Sequence, residues 1–114
     1  MKRIVSFALL IIFSAIISEV VGQAKGIDNE ELKTLYKEDQ SDRTAGNIDW
    51  ELVSKRDKER RVRVNELLKS NLVRTSKDYS NAAMIFQHGG DTTSSGMAVK
   101  LMKKAIELDP SMNK

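Results

Sequence analysis

The sequence predicts an all-α protein of about four antiparallel helices, hairpin-like and repeat-like in arrangement, behind an N-terminal signal peptide. Three observations carry this. One proline and six glycines in 114 residues leave long uninterrupted stretches, which suit helices better than a sandwich of short strands. Apolar residues after the first segment recur at three- and four-residue spacing, the period of a helix with one buried face. A composition of 40% apolar and 31% charged residues supports a packed core rather than a disordered chain. The length allows a single domain.

The first element is the export signal. Lys2 and Arg3 precede an apolar run from Ile4 to Ile17 broken only by Ser6 and Ser14, and small residues follow at Gly22 and Ala24. This is the three-part layout of a secretory signal peptide, with a run shorter than the roughly 20 residues that span a bilayer. Cleavage is expected after Gly22, or alternatively after Ala24. An uncleaved anchor is the competing reading. Residues 23–114 then form one small helical domain, periplasmic or secreted, with no stable membrane span. It has no cysteine, so its stability comes from helix packing or a partner and not from disulfides.

The first helix is expected from Asp28 to about Asp42. Asp28 and Glu31 form a capping-box-like start, and Leu32, Leu35 and Tyr36 set the inner face. Thr44 to Asn47 is the break. A longer helix follows from about Asp49, its N-cap, to Ser70, with Trp50, Val53, Val64, Leu67 and Leu68 on one stripe and Asn71 as a left-handed stop. The third begins near Ser76, carries Tyr79, Ala82, Ala83 and Phe86 inward, and stops at Gly89 and Gly90. The polar stretch from Asp91 to Gly96 reads as a loop. The fourth helix, Met97 to Leu108, presents Ala98, Leu101, Met102 and Ala105 and ends at Asp109 and Pro110. Its small residues resemble the second helix of a tetratricopeptide repeat, with a connecting loop about three residues too long. One such pair supports an antiparallel hairpin, and the likeness carries an expectation of peptide binding.

No phosphate-binding loop, serine elbow or zinc-ligand spacing is present, and the single histidine argues against a common zinc site. No cofactor is expected. The run from Lys55 to Arg63 holds six basic and two acidic residues. Glu51–Lys55, Asp57–Arg61 and Glu59–Arg63 could pair along an exposed helix, so the run reads as a solvated face and no nucleic-acid partner is expected.

Charged residues nonetheless fall in the inward phase. Leu32, Leu35 and Tyr36 continue to Asp39 and then Arg43; Trp50 and Val53 continue to Asp57 and then to Arg60 or Arg61. A charge at core phase must be paired or open onto a cleft. Gln87 and His88 close the third helix at its negative dipole end. Two readings are open: inter-helix ion pairs with His88 as a terminal cap, or one pocket in which His88 does acid–base work.

Asp39-Gln40-x-x-Arg43, then Asp57, then Ala82-Ala83 and Gln87-His88 resemble the D-Q-x-x-R, D and Q-H elements of the bacterial domain-of-unknown-function family 6624. The resemblance spans most of the mature chain. It gathers Asp39, Gln40, Arg43, Asp57, Gln87 and His88 into one candidate polar cluster but implies no reaction. Members of that family continue with a D-R pair and a Q-x-Y-G-T-Q motif, so the chain resembles a shortened member. An apolar face left uncovered at Leu101 and Leu108 would then favour self-association. The leading expectation is a non-catalytic exported module binding a protein or peptide, through a groove between the last two helices. The alternative is a small hydrolase-like enzyme built on Asp39, Arg43, Asp57 and His88.

Overall fold

The computed structural model describes residues 26–113, and the signal segment lies outside them. The described chain is all-α: α1 (Glu30–Ser41), α2 (Trp50–Lys69), α3 (Ser76–Gln87) and α4 (Thr92–Leu108), followed by a 3-10 turn, Pro110–Asn113. Among the described residues no helix is long and apolar enough to cross a membrane.

Each helix starts on a side-chain cap. The cap of α1 is Asn29, not Asp28; its side-chain oxygen accepts the Leu32 N–H at 2.9 Å. Its amide group donates to the Leu72 carbonyl at 2.8 Å, a contact Asp28 could not make because a carboxylate has no donor. Asp49 caps α2 as the sequence predicts, and Thr75 caps α3 in a capping box with Asp78. At the end of α2, Asn71 takes φ 56°. The Asn71 and Leu72 amides donate back to the Leu68 and Leu67 carbonyls at 3.2 and 2.9 Å, which closes the helix in a Schellman motif.

The fourth helix differs from expectation. It begins at Thr92, because Asp91 accepts the Ser94 N–H at 2.6 Å and so supplies a cap before the polar stretch. The Thr and Ser residues of 92–95 fill its first turn, and Gly96 is helical. The α3–α4 link shrinks to residues 88–91, a tight helical hairpin. Gly89 makes it possible: a Cβ there would lie 2.2 Å from the Ser94 Cβ. Proline at 110 ends α4 with Asp109 extended at its C-cap.

Helix α3 is the hub, packing against α1, α2 and α4. Leu32, Val64, Leu67, Val73, Ala82, Ala83, Ile85, Phe86 and Leu101 form the core. Complete burial of side chains such as Leu32, Leu67 and Ile85 contributes roughly 1.5–3 kcal/mol each. Trp50 is not part of it. It is 58% exposed, because as the first residue of α2 its side chain leans back past the helix start. Leu101 is buried under α3 and Leu108 is about half exposed.

Two contacts fix how α1 lies on α3. The Asp78 carboxylate accepts the Asn29 N–H at 2.8 Å, and Asp39 contacts His88 at 3.0 Å. Both pairs are 49 residues apart in sequence. A constant offset means that α1 and α3 run parallel and in register over their whole length. Arg63–Glu31 and Arg60–Asp42 make α1 and α2 antiparallel.

Candidate functional site

The polar cluster assembles where the C-terminal ends of α1 and α3 converge on the middle of α2. Asp39 sits in the last turn of α1, on the face set by Leu32, and is fully buried. Its Oδ1 lies 3.0 Å from His88 Nδ1 and 3.2 Å from an Arg43 Nη, and its Oδ2 accepts from Gln40 Nε2 at 3.0 Å. Arg43 reaches across to Asp57 in a two-pronged contact of 3.1 and 2.6 Å. Arg60, only 6% exposed, donates to Asp57 and to Asp42, each at 2.9 Å. Arg56 completes the set on Asp42 at 2.9 Å.

Electrostatics explain why three arginines are needed. Two helix C-termini bring partial negative charge to this end, and Asp39, Asp42 and Asp57 add three carboxylates. Arg43, Arg56 and Arg60 balance them. Burial works to raise the Asp57 carboxyl, but the hydrogen bonds from Arg43 and Arg60 outweigh it, so Asp57 titrates below the ordinary aspartate range. Burial works to lower Arg60, and its bonds to Asp57 and Asp42 hold it above its ordinary value. The Arg60 Nε is buried without a hydrogen-bond partner among the described residues, 3.9 Å from Asp39.

Of the sequence-predicted residues, Asp39, Gln40, Arg43, Asp57 and His88 are brought together. Gln87 is not: its side chain is exposed and lines a shallow depression with Met84, Ala98 and Met102. It precedes the C-cap on a helix whose inward face here belongs to Phe86. The choice between Arg60 and Arg61 falls on Arg60. Asp42 and Arg56 escaped the sequence reading; Asp42 lies three residues after Asp39 on the same face, which was the available signal. The i,i+4 pairs expected along α2 give way to i,i+3 pairs within the helix and to pairs across to α1 and the residues that follow it. Asp57 pairs with Arg43 and Arg60 rather than Arg61, and Arg63 pairs with Glu31 and Glu66 rather than Glu59. Inter-helix partners win because α1 presents carboxylates opposite the arginine face of α2.

Chemically, the cluster can hold a histidine in one tautomer. With Asp39 accepting, neutral His88 carries its proton on Nδ1 and leaves the Nε2 lone pair at the far edge of a partly exposed ring. Among the described residues no group of three or more His, Cys, Asp or Glu side chains is placed to hold a metal ion.

A second feature lies on the opposite side of α3. Helices α2 and α4 both pack on α3, but their backbones do not approach each other. A groove of about 740 Å³ runs between them. Leu68, Tyr79, Met97 and Leu101 make its apolar lining, and Lys69, Lys100, Lys103 and Lys104 line it against the single acid Glu107.

No protein family, curated protein or solved structure matches the chain. Fold and sites therefore rest on its own residues: an all-α helical hairpin protein with a charge-balanced latch at one end and an open groove along one side.

Proposed function

We propose that the chain is an exported, non-catalytic binding module whose docking surface is the groove between α2 and α4. One observation carries this reading: two helices share a hub without closing on each other, leaving apolar side chains in a concave trough. The hairpin of α3 and α4, with Ala82, Ala83 and Ala105 buried between close-packed helices, supports the likeness to a tetratricopeptide pair. A smaller depression of about 340 Å³ lies on the α3–α4 seam itself, and the docking reading takes the wider α2–α4 gap. The resemblance to family 6624 fits a cluster kept for architecture, since its Asp and Arg members neutralise one another. Export is supported by the n-region, the apolar run and the small residues Gly22 and Ala24 that follow it.

The test is a titration of the mature chain, residues 23–114, with synthetic amphipathic helical peptides followed in 1H–15N spectra. Shifts at Leu68, Met97 and Lys100 support the reading; shifts confined to Asp39 and His88, or none with any peptide, sink it. N-terminal sequencing of the secreted protein, expected to begin near Gln23, tests export.

A second reading, a small hydrolase-like enzyme, is favoured by the 3.0 Å contact between His88 and Asp39, within direct proton-transfer reach. Its test is turnover of chromogenic ester and phosphoester substrates by the wild type and by His88→Ala. Activity that disappears in the variant, with helicity intact, would establish it.

A further inference from the structure

The groove has a charge as well as a shape. Four lysines line it against one glutamate, and Lys104 lies only 3.6 Å from that glutamate, Glu107. All four lysines are exposed, whereas Leu68, Tyr79 and Met97 are half-buried and Leu101 is buried. Arg61, one turn before the groove residue Asn65, adds positive charge near this end of α2 without lining the groove itself. The nearby Asp91 carboxyl is held low by the Ser94 backbone N–H and side chain, with a smaller contribution from Arg61. A groove with an apolar lining and exposed lysines along it is complementary to an apolar stripe bordered by carboxylates.

Dimensions narrow the occupant further. From Gly96 to Glu107 the α4 wall spans twelve residues, about 17 Å of helix axis. That accommodates about three turns of a partner helix with apolar anchors at i, i+4 and i+7 or i+8. A flat anionic bilayer offers the same charge but cannot enter a trough whose floor is the Tyr79 helix.

Resting on the docking reading above, we infer that the groove's occupant is an acidic amphipathic helix of a partner protein, its leucine-type stripe on Leu68, Tyr79, Met97 and Leu101 and its carboxylates on Lys69, Lys100 and Lys104.

The experiment uses the mature chain and three fluorescein-labelled 14-residue helical peptides. They share one apolar stripe and differ only in flanking residues: all Glu, all Gln or all Lys. Vesicles of 30% phosphatidylglycerol in phosphatidylcholine form a fourth arm. Anisotropy is expected to rank Glu above Gln above Lys. The double variant Lys100→Glu/Lys104→Glu, both at exposed sites, should weaken the Glu peptide by about tenfold or more and reverse the ranking in favour of the Lys peptide. Circular dichroism of the variant confirms that it folds, and the reversed ranking is itself a gain that unfolding cannot produce. Equal binding of the Glu and Gln peptides overturns the acidic partner but leaves the docking groove standing. No binding by any peptide overturns both. Vesicle binding that Lys100→Glu/Lys104→Glu abolishes, without peptide selectivity, overturns the helix in favour of a membrane surface.

Discussion

Replacing Asp57 by alanine is the sharpest test of the latch. The wild-type carboxylate is almost fully buried and accepts three charge-assisted hydrogen bonds, two from Arg43 and one from Arg60. Removing it leaves Arg43 with the Asp39 carboxylate and carbonyl and some solvent contact, but leaves the buried Arg60 with Asp42 alone at hydrogen-bond distance. Breaking a buried pair from one side costs roughly 3–5 kcal/mol; because both arginines keep a second partner, the lower end, about 3 kcal/mol, is expected here. A domain of about ninety residues has a total stability of roughly 4–13 kcal/mol, so the loss is a large part of the whole. With a urea m-value near 1 kcal/mol per molar for a chain this small, the midpoint should fall by about 2–3 M in denaturation followed by helical circular dichroism. The effect also has a pH signature. The folded carboxyl of Asp57 is depressed below its ordinary 3.8, so its stabilisation is present above that value and is lost as pH falls through the lower folded value. The gap between wild type and Asp57→Ala should therefore narrow in acid. A midpoint within about 0.5 M of wild type at neutral pH would refute the claim that this network holds α1 on α2.

Three further substitutions probe the backbone. Asn71→Ala places an alanine at φ 56° and should cost about 1 kcal/mol, read as a fall in Tm of about 4–8 °C, whereas Asn71→Gly should be nearly neutral. Gly89→Ala drives a methyl into Ser94 and should cost about 1–3 kcal/mol in urea denaturation, with part recovered in Gly89→Ala/Ser94→Gly. Thr75→Ala removes the hydroxyl that accepts the Asp78 N–H at 3.0 Å and should cost about 1 kcal/mol by thermal melting.

The four helices were legible because their periods and stop signals act locally: Asn71 and Asp109–Pro110 end α2 and α4 where the sequence says they should. The start of α4 lies five residues before the one its apolar period indicates because Asp91 and Gly96 carry opposite local signals, and the cap prevails once Gly89 lets α4 close on α3. In the cluster, helical phase alone located Asp39 and Asp57, since a charge on an apolar stripe is visible in one dimension. Asp42 and Arg56 were not, because their pairing depends on how two helices cross. Asp78 sits in the first turn of α3, where an acid needs no partner beyond the helix's own N–H groups. Its burial follows from accepting the Asn29 N–H from another helix, a contact that exists only after α1 and α3 align.

That alignment bears on what the histidine is for. The offset of 49 residues is shared by the Asn29–Asp78 and Asp39–His88 contacts, so each end of α1 is held against the matching end of α3. A one-residue slip at either end would move the other by about 1.5 Å and turn it by about 100°. His88 is thereby placed over Asp39 by the same register that seats Leu32 in the core, and the contact is accounted for without any reaction. The cluster's carboxylates are matched by arginines, whereas Lys69, Lys100 and Lys103 along the α2–α4 groove make no ion pair among the described residues, and Leu68, Tyr79 and Met97 beside them are only half-buried. The proposed division of labour, architecture in the cluster and recognition along the groove, follows from this distribution of paired and unpaired charge.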